Sequence, residues 1–445
     1  MDVFTSSADL ALLGGSPAVD HDEADQHLFH WPVVTAEDEQ AVVAVMRSGQ
    51  MSGTQITREF EQEYARWQGS RHALATCNAT GGLLAAMWAC QIGAGDEILC
   101  PSITYWASAA PALWLGATVN FADVEPNTLC LDPDDLAHRI GPRTKAIVVV
   151  NYAGHPANHH RIRAIADKHG LKIIEDNSHS HGAMYHGRMC GTLGDIAVAS
   201  LMTGKPLAIG EGGMITTNNS LLHERCVAFG HYERTRSATL YNPLDQQVHD
   251  QGLLRFQGLP LGAAKHRLNQ MSAAMGRVQL RHYPQRMAAI QDAMNRFWSL
   301  LDDLPGLYPH RIEEPDSTMG GWYIPRGLYC PEELGGLSAE RFCQAVRAEG
   351  VTECTPGLNA CLHLHPYFHE ADLFSQGRPT AVAFGQRDVR QAAGTLPVAE
   401  SLAERVIGVP WFKHDAPARI ERYALAFRKV IDNAHRLREA SSCLD

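Results

Sequence analysis

The sequence predicts an α/β fold: a mostly parallel central sheet flanked by helices, followed by a smaller C-terminal α+β domain. Three observations carry that expectation. Strand-like and helix-like segments alternate from about Glu37 to Tyr283, the order that builds a parallel sheet with crossover helices. The run Lys145-Ala146-Ile147-Val148-Val149-Val150 is apolar after its first residue, as in strands buried on both faces. The chain's 445 residues exceed what one hydrophobic core ordinarily serves.

The elements follow in order. Thr80 to Gln91 carries small and apolar residues at helical spacing, and Asp96 to Pro101 is a short strand closed by proline. After the Val-rich strand, His160 to Gly170 is the crossover helix, ended by its glycine. Strands are expected at Leu171 to Glu175, Asp195 to Leu201 and Gly213 to Thr217. Beyond Pro284 the texture changes. A helix through Met287 to Leu301 leads into a region with an irregular stretch from Phe368 to Thr395, and a final helix runs from Ala416 to Leu437. The expected division is an N-terminal arm over 1–30, a large α/β domain over 31–285 and a small domain over 286–445.

Composition narrows the function classes. The chain is 45% hydrophobic and 20% charged, the proportions of a soluble globular protein. A formal net charge of −11, with scattered acidic residues, gives no electrostatic reward for binding nucleic acid or an anionic membrane. The richest basic stretch, His159 to Arg163, reads as a solvated helix face. Eleven cysteines, an odd number without a Cys-x-x-Cys pair, argue against zinc ribbons and disulfide frameworks and fit the cytoplasm. The opening MDVFTSSADLALLGG lacks the pattern of a signal peptide, and the weakly charged stretch Ala107 to Ala122 is too short to span a bilayer.

Chemistry enters with Asp176 and Lys205. Asp176 ends the strand LKIIED, where open α/β sheets place ligands. Lys205 lies in the loop MTGKPLAIGEGG, where Pro206 disfavours a helical lysine and the glycines permit a tight turn. On those two residues alone, a plain salt bridge is the better reading. Cys77-Asn78-Ala79-Thr80-Gly81-Gly82 opens a helix whose N–H groups suit a phosphate, or one simply capped by Asn78. Tyr105 and Trp106 follow a strand end, placed to stack on a flat ligand or to fill core. Among 23 histidines, His363, His365 and His369 lie close in sequence; scattered structural or surface roles suit them better than a metal site, and no metal is expected.

Ordered motifs run from about Leu10 to Val430: LALLGGSPAV with Trp31-Pro32, SGQMSG, GAGDEILCPSIT, LWLGATVNFADVE, IIEDNSHSHGAMYHGR, GTLGDIAVASL, GEGGMITTN, CLHLHP and LPVAE. In order and spacing the chain resembles the DegT/StrS sugar and cyclitol aminotransferases, members of the fold-type I pyridoxal phosphate enzymes. The resemblance implies pyridoxal 5'-phosphate on Lys205 in Schiff-base linkage and Asp176 against its ring nitrogen. It also implies His179 at the phenolic oxygen and Tyr105 stacked on the ring. Asn78, Ala79, Thr80 and Ser200 would surround the phosphate, and Lys265 would reach the phosphate of a neighbouring subunit in a homodimer. His363 falls at a position near substrate. Three positions depart from the family pattern: Ala79 replaces a glycine, Lys265 an asparagine, and Pro206 a non-proline residue.

The implied reaction moves an amino group from glutamate or glutamine to a keto-sugar or keto-cyclitol, in secondary-metabolite, antibiotic or sugar biosynthesis. The alternatives are a dehydratase or aromatising enzyme of the same family, or a non-catalytic binding protein on the same fold. Segments 235–262 and 368–395 are the candidates for shaping the substrate pocket.

Overall fold

The computed structural model describes residues 9–20, 27–235 and 248–441. Parts of the expected N-terminal arm (1–8 and 21–26) and of the expected insertion (236–247) lie outside the described residues.

Seven strands form the central sheet: β1 His72–Thr76, β2 Glu97–Pro101, β3 Thr118–Ala122, β4 Thr144–Val150, β5 Lys172–Asp176, β6 Ile196–Ser200 and β7 Gly213–Thr217. Their spatial order is β1-β7-β6-β5-β4-β2-β3. β2, β3, β4, β5 and β6 pair in parallel, and β7 alone runs antiparallel to both its neighbours, β1 and β6. The carboxyl ends of six strands therefore share one edge. The Val-rich run of β4 is buried from Ala146 to Val150, as its unbroken apolar pattern requires.

Long helices cover the sheet: α1 Ala36–Ser48, α2 Gln55–Gln68, α3 Ala79–Ala89, α4 His159–His169, α5 Ser220–Gly230 and α6 Gln270–Ser299. Gly170 ends α4 in the left-handed conformation at φ 65°, the stop that the glycine predicts. Helix α6 differs from expectation. It continues through Pro284 for 30 residues, so a boundary at 285 falls inside one helix. Its first half buries Ala273, Leu280 and Tyr283 against α2. Its second half buries Ile290, Phe297 and Trp298 in the C-terminal core. Burial on both sides of the proline outweighs the one lost helix hydrogen bond.

The C-terminal core sits between α6, the helices α7 Ala339–Ala348 and α8 Pro417–Asp432, and a small antiparallel sheet of β8 Leu307–Pro309, β9 Arg326–Tyr329 and β10 Val406–Gly408. The expected helix from Ala416 to Leu437 is interrupted: α8 stops at Asn433, and a separate helix spans Ala434–Ser441. The irregular segment from 362 onward turns back onto the large core, to which Leu362, Phe368, Leu396 and Ala399 belong. Phe368 meets Phe121 edge-on with centroids 5.0 Å apart. Beside it the Gln391 amide accepts from the Phe121 N–H at 3.0 Å and donates to its carbonyl at 2.9 Å. A side chain thus occupies backbone groups at the outer edge of β3.

The N-terminal residues are tied to the C-terminal core. Leu10, Val19 and Leu28 are buried in it. Glu349, fully buried, accepts the N–H of Ala11 at 2.8 Å and of Ala18 at 3.0 Å, and pairs with Lys429 at 2.8 Å. Removing that carboxylate strands a buried ammonium, a change that costs about 3–5 kcal/mol. Glu349→Ala should lower unfolding stability by about that amount in urea titrations, with limited proteolysis appearing near residues 11–18. Unchanged stability would show that the pair carries no net weight.

Candidate active site

The site forms where the parallel strands end. β1 runs directly into α3, whose amino end is capped by Asn78: its Oδ1 accepts from the Gly81 N–H at 2.8 Å. Thr76 at the end of β1 pairs with Gly213 at the start of β7, and Gly213 pairs with Ser200 at the end of β6. A Cβ at Gly213 would stand 2.7 Å from the Ala79 nitrogen, so glycine is what lets the α3 amino end approach the sheet. The capping reading of Asn78 is correct, and it leaves Ala79 and Thr80 lining the cavity at the positive end of the helix.

Asp176 lies at the end of β5 and is nearly fully buried. Its Oδ2 accepts from the Ser108 hydroxyl at 2.7 Å and its Oδ1 from the Ser178 N–H at 3.1 Å. Thr104 in turn bonds the Ser108 hydroxyl at 2.8 Å. The loop after β2 therefore orients a carboxylate presented by β5.

Lys205 sits beyond β6 in a turn closed by its own N–H to the Met202 carbonyl at 2.8 Å. Its carbonyl accepts from the Trp31 indole at 2.9 Å. The side chain is only 8% exposed, and its nitrogen lies 3.9 Å from the centre of the Tyr323 ring. Burial pushes its pKa down to about 8, with the Asp176 charge opposing that fall. Roughly a tenth of such amines are neutral at pH 7.

Tyr323 is held by an unusual turn. Trp322 and Ile324 on either side take positive φ values of 51° and 42°, a conformation disfavoured for bulky or branched side chains. A Cβ on Gly321 would meet the Pro206 ring at 2.4 Å and the Tyr283 hydroxyl at 2.6 Å. Pro206, one of the three departures, thus packs on the turn that carries Tyr323.

His179 is buried, with the Tyr323 ring at a centroid distance of 4.6 Å and the Tyr152 ring at 5.5 Å. Burial holds its pKa well below the usual histidine value, with the Lys205 charge adding to the effect. Its Nδ1 accepts the Ala153 N–H at 3.3 Å, so the proton of the neutral ring resides on Nε2.

Asn78, Ala79, Thr80, Tyr105, Asp176, His179, Ser200 and Lys205 all line one cavity of about 300 Å³. Lys265 does not: its nitrogen stands 5.8 Å from the Tyr232 ring. The sequence reading missed Ser108, Tyr323 and Asn359. Asn359 lines the cavity and accepts from the Tyr152 hydroxyl at 2.7 Å. No described residue of 235–262 or 368–395 lines it. His363 is 1% exposed, bonded to Ser102 at 2.7 Å and Glu400 at 3.1 Å, and clamps the returning segment to the end of β2 instead of facing the cavity. Glu400, to which it bonds, also accepts backbone N–H groups of Gly394 and Leu396.

A buried amine and carboxylate from neighbouring strands, at the carboxyl edge of a seven-stranded α/β sheet, mark the ligand site of an α/β enzyme fold, and the family match gives its class as aminotransferase. The chain belongs to the DegT/DnrJ/EryC1/StrS aminotransferase family, which matches residues 32–427. It is similar to the L-glutamine:2-deoxy-scyllo-inosose aminotransferase of Micromonospora echinospora, 29% identical over 443 residues, covering 96% of this chain and 99% of that one. It is also similar to the spore coat polysaccharide biosynthesis protein SpsC of Bacillus subtilis (strain 168), 28% identical over 377 residues, 84% of this chain and 93% of the other. The X-ray structure of the aminotransferase from Psychrobacter cryohalolentis has the same fold, with a TM-score of 0.78 at 29% identity, covering 92% and 100% of the two chains.

The burial of Lys205 has a measurable signature. Acylation of Lys205 in the cofactor-free protein, followed by peptide mapping, should rise through a midpoint near pH 8. Asp176→Asn removes the one charge that raises this pKa, so its midpoint should move to lower pH. A midpoint above pH 10, or no shift in the variant, would contradict the assignment.

Proposed function

We propose that the chain binds pyridoxal phosphate at Lys205 and transfers an amino group from glutamine or glutamate to a keto-cyclitol or keto-sugar. The observation that carries this reading is the shared cavity of Lys205, Asp176, Ser200 and the amino end of α3. Those residues fit the cofactor: a buried amine, a carboxylate one strand away, hydroxyls, and a helix end made accessible by Gly213. When bound, pyridoxal phosphate supplies an electrophilic carbon for amines and a sink for the electrons of a broken Cα–H bond.

The chain's own groups have distinct parts in that reading. Lys205, with its pKa near 8, can both accept and return a proton at the donor Cα near neutral pH. Asp176, steadied by Ser108 and Ser178, would face the ring nitrogen. The Nε2–H of His179 is a donor for the phenolic oxygen, and Tyr105 would stack on the ring. Asn78, Ala79, Thr80 and Ser200 would hold the phosphate. Tyr323 occupies the space over the Lys205 amine and would have to share it with substrate.

Lys265, outside its own chain's cavity, would complete the phosphate site of a second copy in a homodimer. Half-exposed Tyr105 and Trp106 beside the cavity suit coverage by that copy. No helix among the described residues is long and apolar enough to cross a membrane. The cytoplasm remains the proposed location, resting on cysteine usage. The division into a large domain to 285 and a small one beyond is kept as a functional proposal: Tyr323 and Asn359 reach the cavity from the C-terminal side. Glutamine and the cyclitol are suggested by the Micromonospora relative, whose name specifies them.

Borohydride reduction of the cofactor-loaded protein should fix the cofactor's mass on the peptide containing Lys205, and Lys205→Ala should abolish both labelling and turnover while the fold persists. Label on another lysine, or on none, would overturn the reading. Incubation of the loaded protein with glutamine or glutamate should convert the cofactor to pyridoxamine phosphate. Failure with every amino donor would favour the dehydratase or aromatising alternative.

A further inference from the structure

A second polar cavity lies at the opposite end of β1. It measures about 240 Å³ and opens between α2, the amino end of β1, α5 and the turn at Arg234. Arg58, Arg71, His72, His223 and Arg234 line it, and the one carboxylate in its wall is Glu61. Both Glu61 oxygens are already engaged: Oε1 accepts the Ala75 N–H at 2.7 Å, and Oε2 accepts Arg234 Nη1 at 2.6 Å.

Arg234 is 4% exposed, yet its Nε and Nη2 have no hydrogen-bond partner among the described residues. Those two nitrogens form the edge of the guanidinium that grips an oxyanion with two parallel bonds. Other arginines of this chain use the same edge on carboxylates, among them Arg387 toward Glu97 and Arg296 toward Asp415. Leaving such donors buried without partners is unfavourable, and an anion would relieve it.

The surroundings carry positive potential. The rings of His72 and His223 stack with centroids 4.7 Å apart and planes 14° from parallel. His223 Nδ1 also has no partner among the described residues. Burial pushes the His223 pKa down to about 3, and every charge acting on it, from His72, Arg234 and Arg58, is positive. His72 is lowered by burial and by Arg71, with Glu224 opposing.

We propose that this cavity binds a small oxyanion, a phosphate or carboxylate group, on the free edge of Arg234 with Arg71 and His223 beside it. The site is separate from the cofactor cavity, with which it shares no lining residue. The assignment does not rest on the cofactor reading, since its test reads anion binding and not turnover.

The test is calorimetric titration of the protein saturated with pyridoxal phosphate, in low-chloride buffer, with inorganic phosphate in one arm and malonate in the other. One site per chain is expected in at least one arm, and the arm that binds identifies the anion class. Arg71→Gln, at the exposed rim, should weaken binding about tenfold, the equivalent of one charge-assisted hydrogen bond. Arg234→Lys keeps a cation beside Glu61 but removes the fork, and should abolish binding with little change in melting temperature. A selenate-soaked crystal should place an anomalous peak between Arg234 and His223. Binding in neither arm, or affinity unchanged in both variants, would overturn the proposal.

Discussion

The arrangement depends on keeping one amine out of water without giving it a full ion pair. Lys205 is buried deeply enough for its proton to be held weakly, and Asp176 is near enough to prevent that loss from becoming complete. The two influences oppose each other, and burial wins. Much of the neighbouring structure serves this balance. Tyr323 covers the amine with a ring face, the Trp31 indole fixes the lysine's carbonyl, and Ser108 fixes the opposing carboxylate. The positive φ values beside Tyr323 show that local backbone strain is tolerated to keep that ring in place.

Two of the departures from the family pattern become intelligible in the same terms. Ala79 adds a methyl group at the helix start, but the close approach there is made possible by Gly213 on the facing strand. Proline at 206 is accommodated because Gly321 leaves room for its ring. These two of the three departures are each matched by a glycine across the contact, whereas nothing in the structure explains Lys265.

What could be read beforehand was local. The buried strand at 144–150, the glycine stop at 170 and the strand-end place of Asp176 follow from runs, turn residues and strand ends, while the joining of Asp176 and Lys205 in one site comes from the family resemblance. What could not be read depends on contacts distant in sequence. Tyr323 and Asn359 arrive from beyond residue 300 on irregular loops, which carry no periodicity to mark them. Ser108 left only a faint trace, a hydroxyl one helical turn after Thr104. Pro284 suggested a break, but the helix has a separate apolar core on each side, and packing overrides propensity. The segment after 362 looked like part of the second domain, but Phe368 and Leu396 belong to the first core.

The Gln391 amide on Phe121 has a consequence for assembly. By occupying the main-chain groups of Phe121 near the carboxyl end of β3, it denies an incoming strand the continuous ladder needed to extend the sheet. The same contact guards against the open-ended strand addition that leads from soluble chains to fibres.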